Sequence, residues 1–309
     1  MDQPVENPWI MDTDPFPTIV PWDEPVEGAR LLDELRDFVR QYLVLPDHAA
    51  EVIALFVAHT YLLDAAEFTP YILVTSPVRE CGKTTLLELL EHLVHRARGT
   101  ASITASALYR LIDSERPSIL LDEVDTRLGG EGGESLRRVL NSGFRRNGKF
   151  TIAIGGRRGV GDFSTFSPKV LAGIGRVWDT VASRSIPIRL QRASPDELEG
   201  LTRIRGHLIN GICLPFRRKL RRFADDTESM LREIDPVTPR ELGARQCDVW
   251  RPLLAIAEVT GARWSVTARA AARAILGAAE EDGDAGLRLL DDVRALFQEK
   301  KNPRRCTPR

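Results

Sequence analysis

The stretch that most constrains this chain is Tyr71-Ile-Leu-Val-Thr-Ser-Pro-Val-Arg-Glu-Cys-Gly-Lys-Thr-Thr-Leu86. An apolar, β-type run feeds a short loop that ends in Gly82-Lys83-Thr84, and an amphipathic run leaves it as a helix. Strand, loop and helix in that order are what a P-loop requires. Loop amides and the helix N-terminus cradle phosphates, the lysine reaches the β- and γ-phosphates, and the threonine hydroxyl ligates Mg²⁺. The usual G-x-x-x-x-G-K-[ST] pattern is broken at its first glycine, which is Pro77 here. Proline fixes φ and removes one donor amide. Phosphate contact is therefore expected from Pro77, Arg79, Glu80, Cys81, Gly82, Lys83, Thr84 and Thr85, with amide donors from Arg79 onward. A chance Gly-Lys-Thr before a helix is the bland alternative.

A second motif reduces that alternative. Ile119-Leu-Leu-Asp-Glu123 is an apolar strand ending in two acids, roughly 40 residues after the lysine. Ligands of open α/β sheets sit at such carboxyl-terminal strand edges. In P-loop enzymes the first acid, Asp122, holds the Mg²⁺ shell, and the second, Glu123, polarises the attacking water.

With 309 residues the chain can bury a substantial core. A formal net charge of −1 gives no global attraction to nucleic acid, so any such site must be local. Cys81, Cys213, Cys247 and Cys306 are far apart and form no C-x-x-C, which argues against a zinc site and a disulfide framework. The acidic, proline-rich beginning does not read as a signal peptide. No apolar run is long enough to span a membrane, and a cytoplasmic location is expected.

Five segments are expected. Residues 1–26 hold six prolines and form an extended arm laid on the body by Trp9, Phe16 and Trp22. Residues 27–66 form two helices, broken at Leu45-Pro46-Asp47 with Asp47 as N-cap. His59, Thr60 and Tyr61 end the second helix, as core residues or as neighbours of a nucleotide base. Residues 67–192 alternate strand and helix, with strand-bearing runs at 71–75, 101–103, 117–125, 168–175 and 183–190 and a glycine-rich hairpin or projecting loop at 150–161. Such alternation predicts a five-stranded parallel sheet with right-handed crossovers. Pro187 suggests that the last strand is an edge. Residues 193–298 read as a helical lid and 299–309 as a basic tail.

Between Ser135 and Gly161 stand Arg137, Arg138, Arg145, Arg146, Lys149, Arg157 and Arg158, without an acid. Arg145, Arg146, Lys149, Arg157 and Arg158 are candidates for sequence-independent phosphate contact with nucleic acid. A solvated face, or arginines at a subunit interface, is the alternative. The cluster Arg217-Arg-Lys-Leu-Arg-Arg222 is followed by Asp225, Asp226 and Glu228, and reads as a solvated helix face.

Taken together, several runs resemble the DUF3631 family of ATPase-like proteins. They are Thr75-Ser-Pro77 with Cys81-Gly-Lys-Thr84, Leu120-Leu-Asp-Glu-Val-Asp125, Phe163-Ser-Thr-Phe166 with Ala172-Gly-Ile-Gly175, Asp179-Thr180 with Ser183-Arg-Ser-Ile186, and Asp248-Val-Trp-Arg-Pro-Leu-Leu254. The resemblance runs from about Val26 to Gly277, and Pro77 belongs to the family pattern. It implies an AAA+-like α/β core, similar to superfamily 3 helicases, with a C-terminal helical lid. It implies ATP and Mg²⁺ as ligands. Lys83, Glu123 and Arg184 would be catalytic, Thr84 and Asp122 metal-binding, and Arg184 an arginine finger acting on a neighbouring subunit. Arg245 or Arg251 would sense bound nucleotide. Strand 170–175 ends without the polar sensor such folds carry, which leaves Ser167, Arg176 or slow hydrolysis.

The implied assembly is a homo-oligomeric ring, hexameric by analogy. Its implied work is that of a helicase or translocase on single-stranded DNA during replication of a mobile element, alongside a primase or other replication partner. The alternative is a nucleotide-dependent assembly or regulatory ATPase that acts on proteins.

Overall fold

The computed structural model describes residues 14–124, 130–153, 159–175 and 177–278, with the side chains of Gly130 and Glu131 left aside. Trp9, Ile10, Asp125, Arg157, Arg158, Arg176 and the expected tail lie outside the described residues.

Tyr71-Ile-Leu-Val-Thr-Ser76 is buried along almost its whole length and forms β1 (Tyr71–Ser76) at the interior of a five-stranded sheet. Near-continuous apolar runs of this kind suit strands covered on both faces. The other strands are β2 (Ala97–Thr100), β3 (Ser118–Leu121), β6 (Lys169–Ile174) and β7 (Ser185–Arg189). Their order is β2-β3-β6-β1-β7, and every pairing is parallel. Pro187 lies on an edge strand, β7, as proline in a sheet should. The second strand forms at 97–100, just before the expected 101–103.

Helix α3 (Lys83–Leu93) links β1 to β2, α4 (Ala105–Glu115) links β2 to β3, and α5 (Gly130–Ser142) follows β3. The short α6 (Asp179–Ala182) precedes β7. Right-handed crossovers put α3 on one face and α4, α5 and α6 on the other. The packing agrees, since α4 touches α5 and α5 touches α6.

A hairpin of β4 (Lys149–Ala153) and β5 (Val160–Ser164) is inserted before β6. Its alternation is clean: Phe150 and Phe163 turn onto Tyr109 of α4, with ring centroids 5.2 and 4.8 Å away, while Lys149, Thr151 and Val160 face solvent. Gly143 lets the end of α5 reach the hairpin base, because a Cβ there would stand 2.2 Å from the Thr165 carbonyl oxygen.

The amphipathic α1 (Gly28–Arg40) and the wholly buried α2 (Ala49–Tyr61) join the helical segment α7 (Pro195–Glu199), α8 (Gly206–Glu233), α9 (Ala244–Thr260) and a helical run over 262–278. α8 packs on α3, and α9 on α2. One continuous apolar cluster unites all of them but the exposed α7 with the sheet. The N-cap of α2 is His48, in the left-handed region at φ 63°, and no side chain caps it. The expected Asp47 cap does not form, because that residue lies one position outside the cap.

The chain ahead of α1 is extended and strapped down. Phe16 lies beneath the guanidinium groups of Arg96 (4.6 Å) and Arg98 (5.3 Å), and Asp14 pairs with Arg96. The Trp22 amide donates to the Arg218 carbonyl at 3.0 Å, and its ring carries Arg218 and Lys219. Arg218 and Arg222 donate in turn to carbonyls of Val20, Pro21, Trp22 and Asp23. The basic cluster of α8 is thus occupied by this arm, by Glu34 and by Asp225 and Asp226 on its own helix.

Candidate functional site

The site candidates collect at the carboxyl-terminal edge of the sheet. β1 ends at Ser76, the loop 77–82 follows, and α3 begins at Lys83. Pro77, Val78, Arg79 and Glu80 are exposed. Glu80 (φ 62°) and Gly82 (φ 89°) both take the left-handed conformation, which curls the loop back on itself. Gly82 is required for that φ, and a Cβ there would also press on Leu43 at 3.0 Å.

Inside the loop the polar groups are oriented locally. Lys83 Nζ donates to Ser76 Oγ, and Ser76 Oγ donates to the Val78 carbonyl at 2.6 Å. The buried Cys81 thiol faces the Val78 and Arg79 carbonyls at 3.4 and 3.6 Å. The lysine head is therefore folded back over the loop. No side-chain hydrogen bond caps α3, so its first-turn amides are the orphan donors every helix start presents. Thr84 stands exposed and Thr85 half-buried on that first turn. Arg192 pairs with Glu80 at 3.1 Å and ties the loop to the segment after β7.

β3 ends at Leu121, and Asp122 and Glu123 follow. Register sets Leu121 level with Leu171 of β6 and Leu73 of β1. The acids thus emerge beside the loop, one strand (β6) intervening, about 10 Å away across the sheet at the usual strand spacing. Asp122 Oδ1 accepts from the Glu123 amide at 2.8 Å, and Glu123 is exposed at φ 53°. Among the described residues no group of three or more His, Cys, Asp or Glu could hold a metal ion. A Mg²⁺ held mainly by phosphate oxygens and water needs no such cage, and Thr84 with Asp122 fits that lighter donor set.

Other candidates are elsewhere. Register pairs Tyr71 with Ser185, and the Tyr71 amide donates to the Arg184 carbonyl at 3.1 Å. Arg184 therefore lies at the opposite, amino-terminal edge of the sheet, roughly 20 Å from Ser76 by strand rise. Ser167 is at that same edge, buried, donating to the Pro117 carbonyl at 2.6 Å, so it is not a sensor beside the acids. His59, Thr60 and Tyr61 are buried there too: the His59 ring bonds Thr69 at 2.9 Å, and burial pushes its pKa down to about 3. They are core residues, remote from the loop.

Among the described residues the basic run does not form one surface. Arg146 is spent on the Leu63 and Ala66 carbonyls at 2.7 Å. Lys149 lies across the hairpin from Asp162 at 3.5 Å. Arg145 stands over the Phe68 ring at 5.1 Å, toward Arg184. Arg251 pairs with Asp235, whereas Arg245 stands over the Phe144 ring at 5.6 Å. Ser76 and Arg192 were not singled out in the sequence. Ser76 had a signal, as the last hydroxyl of the strand; Arg192 had none.

A family model described as "Protein of unknown function (DUF3631)" matches residues 189–308. The match covers the helical segment, including Asp248-Val-Trp-Arg-Pro-Leu-Leu254, and not the loop or the Asp122-Glu123 strand. No curated protein matches this chain. A solved structure titled "The A form apo structure of NrS-1 C terminal region-CTR" is similar at a TM-score of 0.37 and 14% identity, over 79% of this chain and 54% of that one. The chain spans about half the length of that neighbour. Among the described residues no helix is long and apolar enough to cross a membrane.

Proposed function

We propose that this chain is an AAA+-like P-loop ATPase that binds ATP with Mg²⁺ at the carboxyl-terminal edge of its sheet. The observation that carries the reading is the pairing of two features across β6: a curled loop with Lys83 folded onto Ser76, and a strand tip bearing Asp122 and Glu123. Two left-handed residues ahead of a helix start without a side-chain cap are the backbone features by which such loops turn amides toward phosphates. In this reading Lys83 binds the outer phosphates, Thr84 and Asp122 hold the metal shell, and Glu123 orients water. Bound Mg²⁺ would neutralise charge between the phosphates.

The strand order supports the same reading, since the acid-bearing strand is separated from the loop-bearing strand by one neighbour. Titration with ATP and Mg²⁺, with turnover measured on the same protein, tests it. Wild type should bind and hydrolyse, and Lys83→Ala should do neither well. Equal binding and turnover in both proteins would reject the assignment.

For the target, the reading is a ring that acts on single-stranded DNA in replication of a mobile element. Lys149 on the outer face of the inserted hairpin supports a DNA contact. The dispersal of Arg145, Arg146 and the 217–222 cluster, together with the −1 net charge, favours the second reading: an assembly or regulatory ATPase with protein partners. Turnover stimulated by single-stranded DNA supports the first reading; unstimulated turnover with no DNA affinity supports the second.

A further inference from the structure

We propose that Glu80 guards the phosphate loop by holding Arg192 while no nucleotide is bound, and that the phosphates of ATP take this arginine from it. The proposal rests on the ATPase reading and adds a competing acid and a phosphate ligand to its site.

Register brings the two residues together. β7 runs beside β1 with Arg189 level with Thr75, and the Leu190 amide donates to the Thr75 carbonyl at 2.8 Å. The segment after β7 therefore leaves the sheet beside the start of the loop. Arg192 lies two residues further on, and its Nη2 donates to Glu80 Oε2 at 3.1 Å. The guanidinium is thus at the rim of the loop before any ligand arrives.

Glu80 is an unusual residue for its place. A carboxylate in a loop that receives a triphosphate repels it at short range. The residue also sits at φ 62°, where a side chain is penalised. Backbone outliers of this kind cluster at ligand clamps and switch regions. Gly82, the other left-handed residue of the loop, carries no such penalty. The Glu80 side chain is exposed, and its partner is Arg192.

The pair is suited to exchange. The Arg192 and Glu80 side chains are 69% and 78% exposed, and a single hydrogen bond joins them. Exposed ion pairs of this kind are weak. A phosphate offers a guanidinium two parallel bonds and more charge than a carboxylate does. Lys83 is held in a similar way, on Ser76 at the end of β1. The loop thus keeps Lys83 and Arg192 on internal partners that a triphosphate would displace. Movement of Arg192 has a route onward. Ser194, two residues later, opens α7 with a reciprocal capping box, and no residue of α7 is buried. That helix can follow Arg192 while the core stays still.

The test is titration of ATP with Mg²⁺ into wild type, Glu80→Gln and Arg192→Ala. Both positions are exposed, so the fold is not at stake. Glu80→Gln should bind about threefold to tenfold more tightly, and Arg192→Ala about tenfold to a hundredfold more weakly. Both differences should shrink as salt is raised. Opposite signs are the decisive result. A bridge that merely shapes the loop is broken by either change, and binding would then weaken in both variants. Losses in both therefore overturn the proposal, as does an affinity within about twofold of wild type in either. Arg203→Ala, exposed on the same segment, should stay within about twofold of wild type, since distant surface charges are screened. A loss there equal to that of Arg192→Ala reduces the effect to general charge and also overturns the proposal. If wild type itself binds no ATP, the ATPase reading has failed, which is a different result.

Discussion

The two edges of the parallel sheet make opposite use of polar side chains. At the carboxyl-terminal edge, Lys83, Thr84, Asp122 and Glu123 are exposed or half-buried; Lys83 bonds Ser76 at the end of β1, and Asp122 accepts from the amide of Glu123. At the amino-terminal edge, Lys169, Ser167, Thr69 and His59 are sealed and each is hydrogen-bonded, Ser167 to the Pro117 carbonyl across the fold, His59 and Thr69 to each other, and Lys169 to carbonyls just ahead of it in its own segment. Lys169 is the extreme case. Its ammonium donates to the Thr165 and Ser167 carbonyls at 3.1 and 2.8 Å and lies 4.8 Å from the Tyr71 ring centroid. Parallel strands account for the contrast. Crossovers leave their loops open at one edge, while the connections entering the other edge are packed under helices and the hairpin base. The Lys83, Thr84, Asp122 and Glu123 side chains stay at least partly open to solvent, whereas Lys169, Ser167, Thr69 and His59 are spent on the interior.

The largest effect expected from breaking this contrast is at Lys83. Replacing it with alanine should reduce ATP turnover by about 10²–10³, the usual loss for a preorganised donor. Stability should fall by no more than about 1 kcal/mol, since one half-buried hydrogen bond is lost. A denaturant melt run beside the turnover assay separates the two. Glu123→Gln should come next, with turnover down about a hundredfold and ATP affinity retained. Loss of affinity with unaltered turnover of the bound fraction would reassign Glu123 to binding.

The sealed edge should respond to pH and not to ATP. Burial lowers the Lys169 pKa from 10.5 to about 7. Between those values the unfolded chain binds a proton that the folded chain does not, so stability rises with pH across the window and is reduced below it. Wild type should therefore gain stability relative to Lys169→Met as pH increases from 7 to 10. Parallel melting curves for the two proteins would contradict this. The smallest effect belongs to the arm. Trp22→Ala removes the ring beneath Arg218 and Lys219 and should cost about 1 kcal/mol, with turnover unchanged.

Much of this was legible in the chain. The apolar run at 71–76 and the glycine-lysine pair after it announced a strand, a loop and a helix, because local patterning alone decides those elements. Pro187 announced an edge for the same local reason. The arm was legible from its prolines and aromatics, though its partners were not. Illegible were the facts that depend on long-range packing: that Arg146 would be taken up by carbonyls near Leu63, that the 217–222 cluster would clasp the arm, and that Ser167 would lie at the far edge from Asp122. A basic residue looks the same in sequence whether it faces solvent, a carbonyl or a ligand.

By itself, then, the sequence determined the alternation of strands and helices, the curled loop around Gly82 and the acids closing β3. Each follows from side-chain periodicity or from a backbone conformation that few residues tolerate. The tertiary structure alone decided which end of the sheet each charge occupies. It placed Lys83 and Asp122 at one edge and gathered Arg145, Arg184 and Arg245 at the other. That division comes from strand order and register, which are set by burial across the whole core and written in no single segment of the chain.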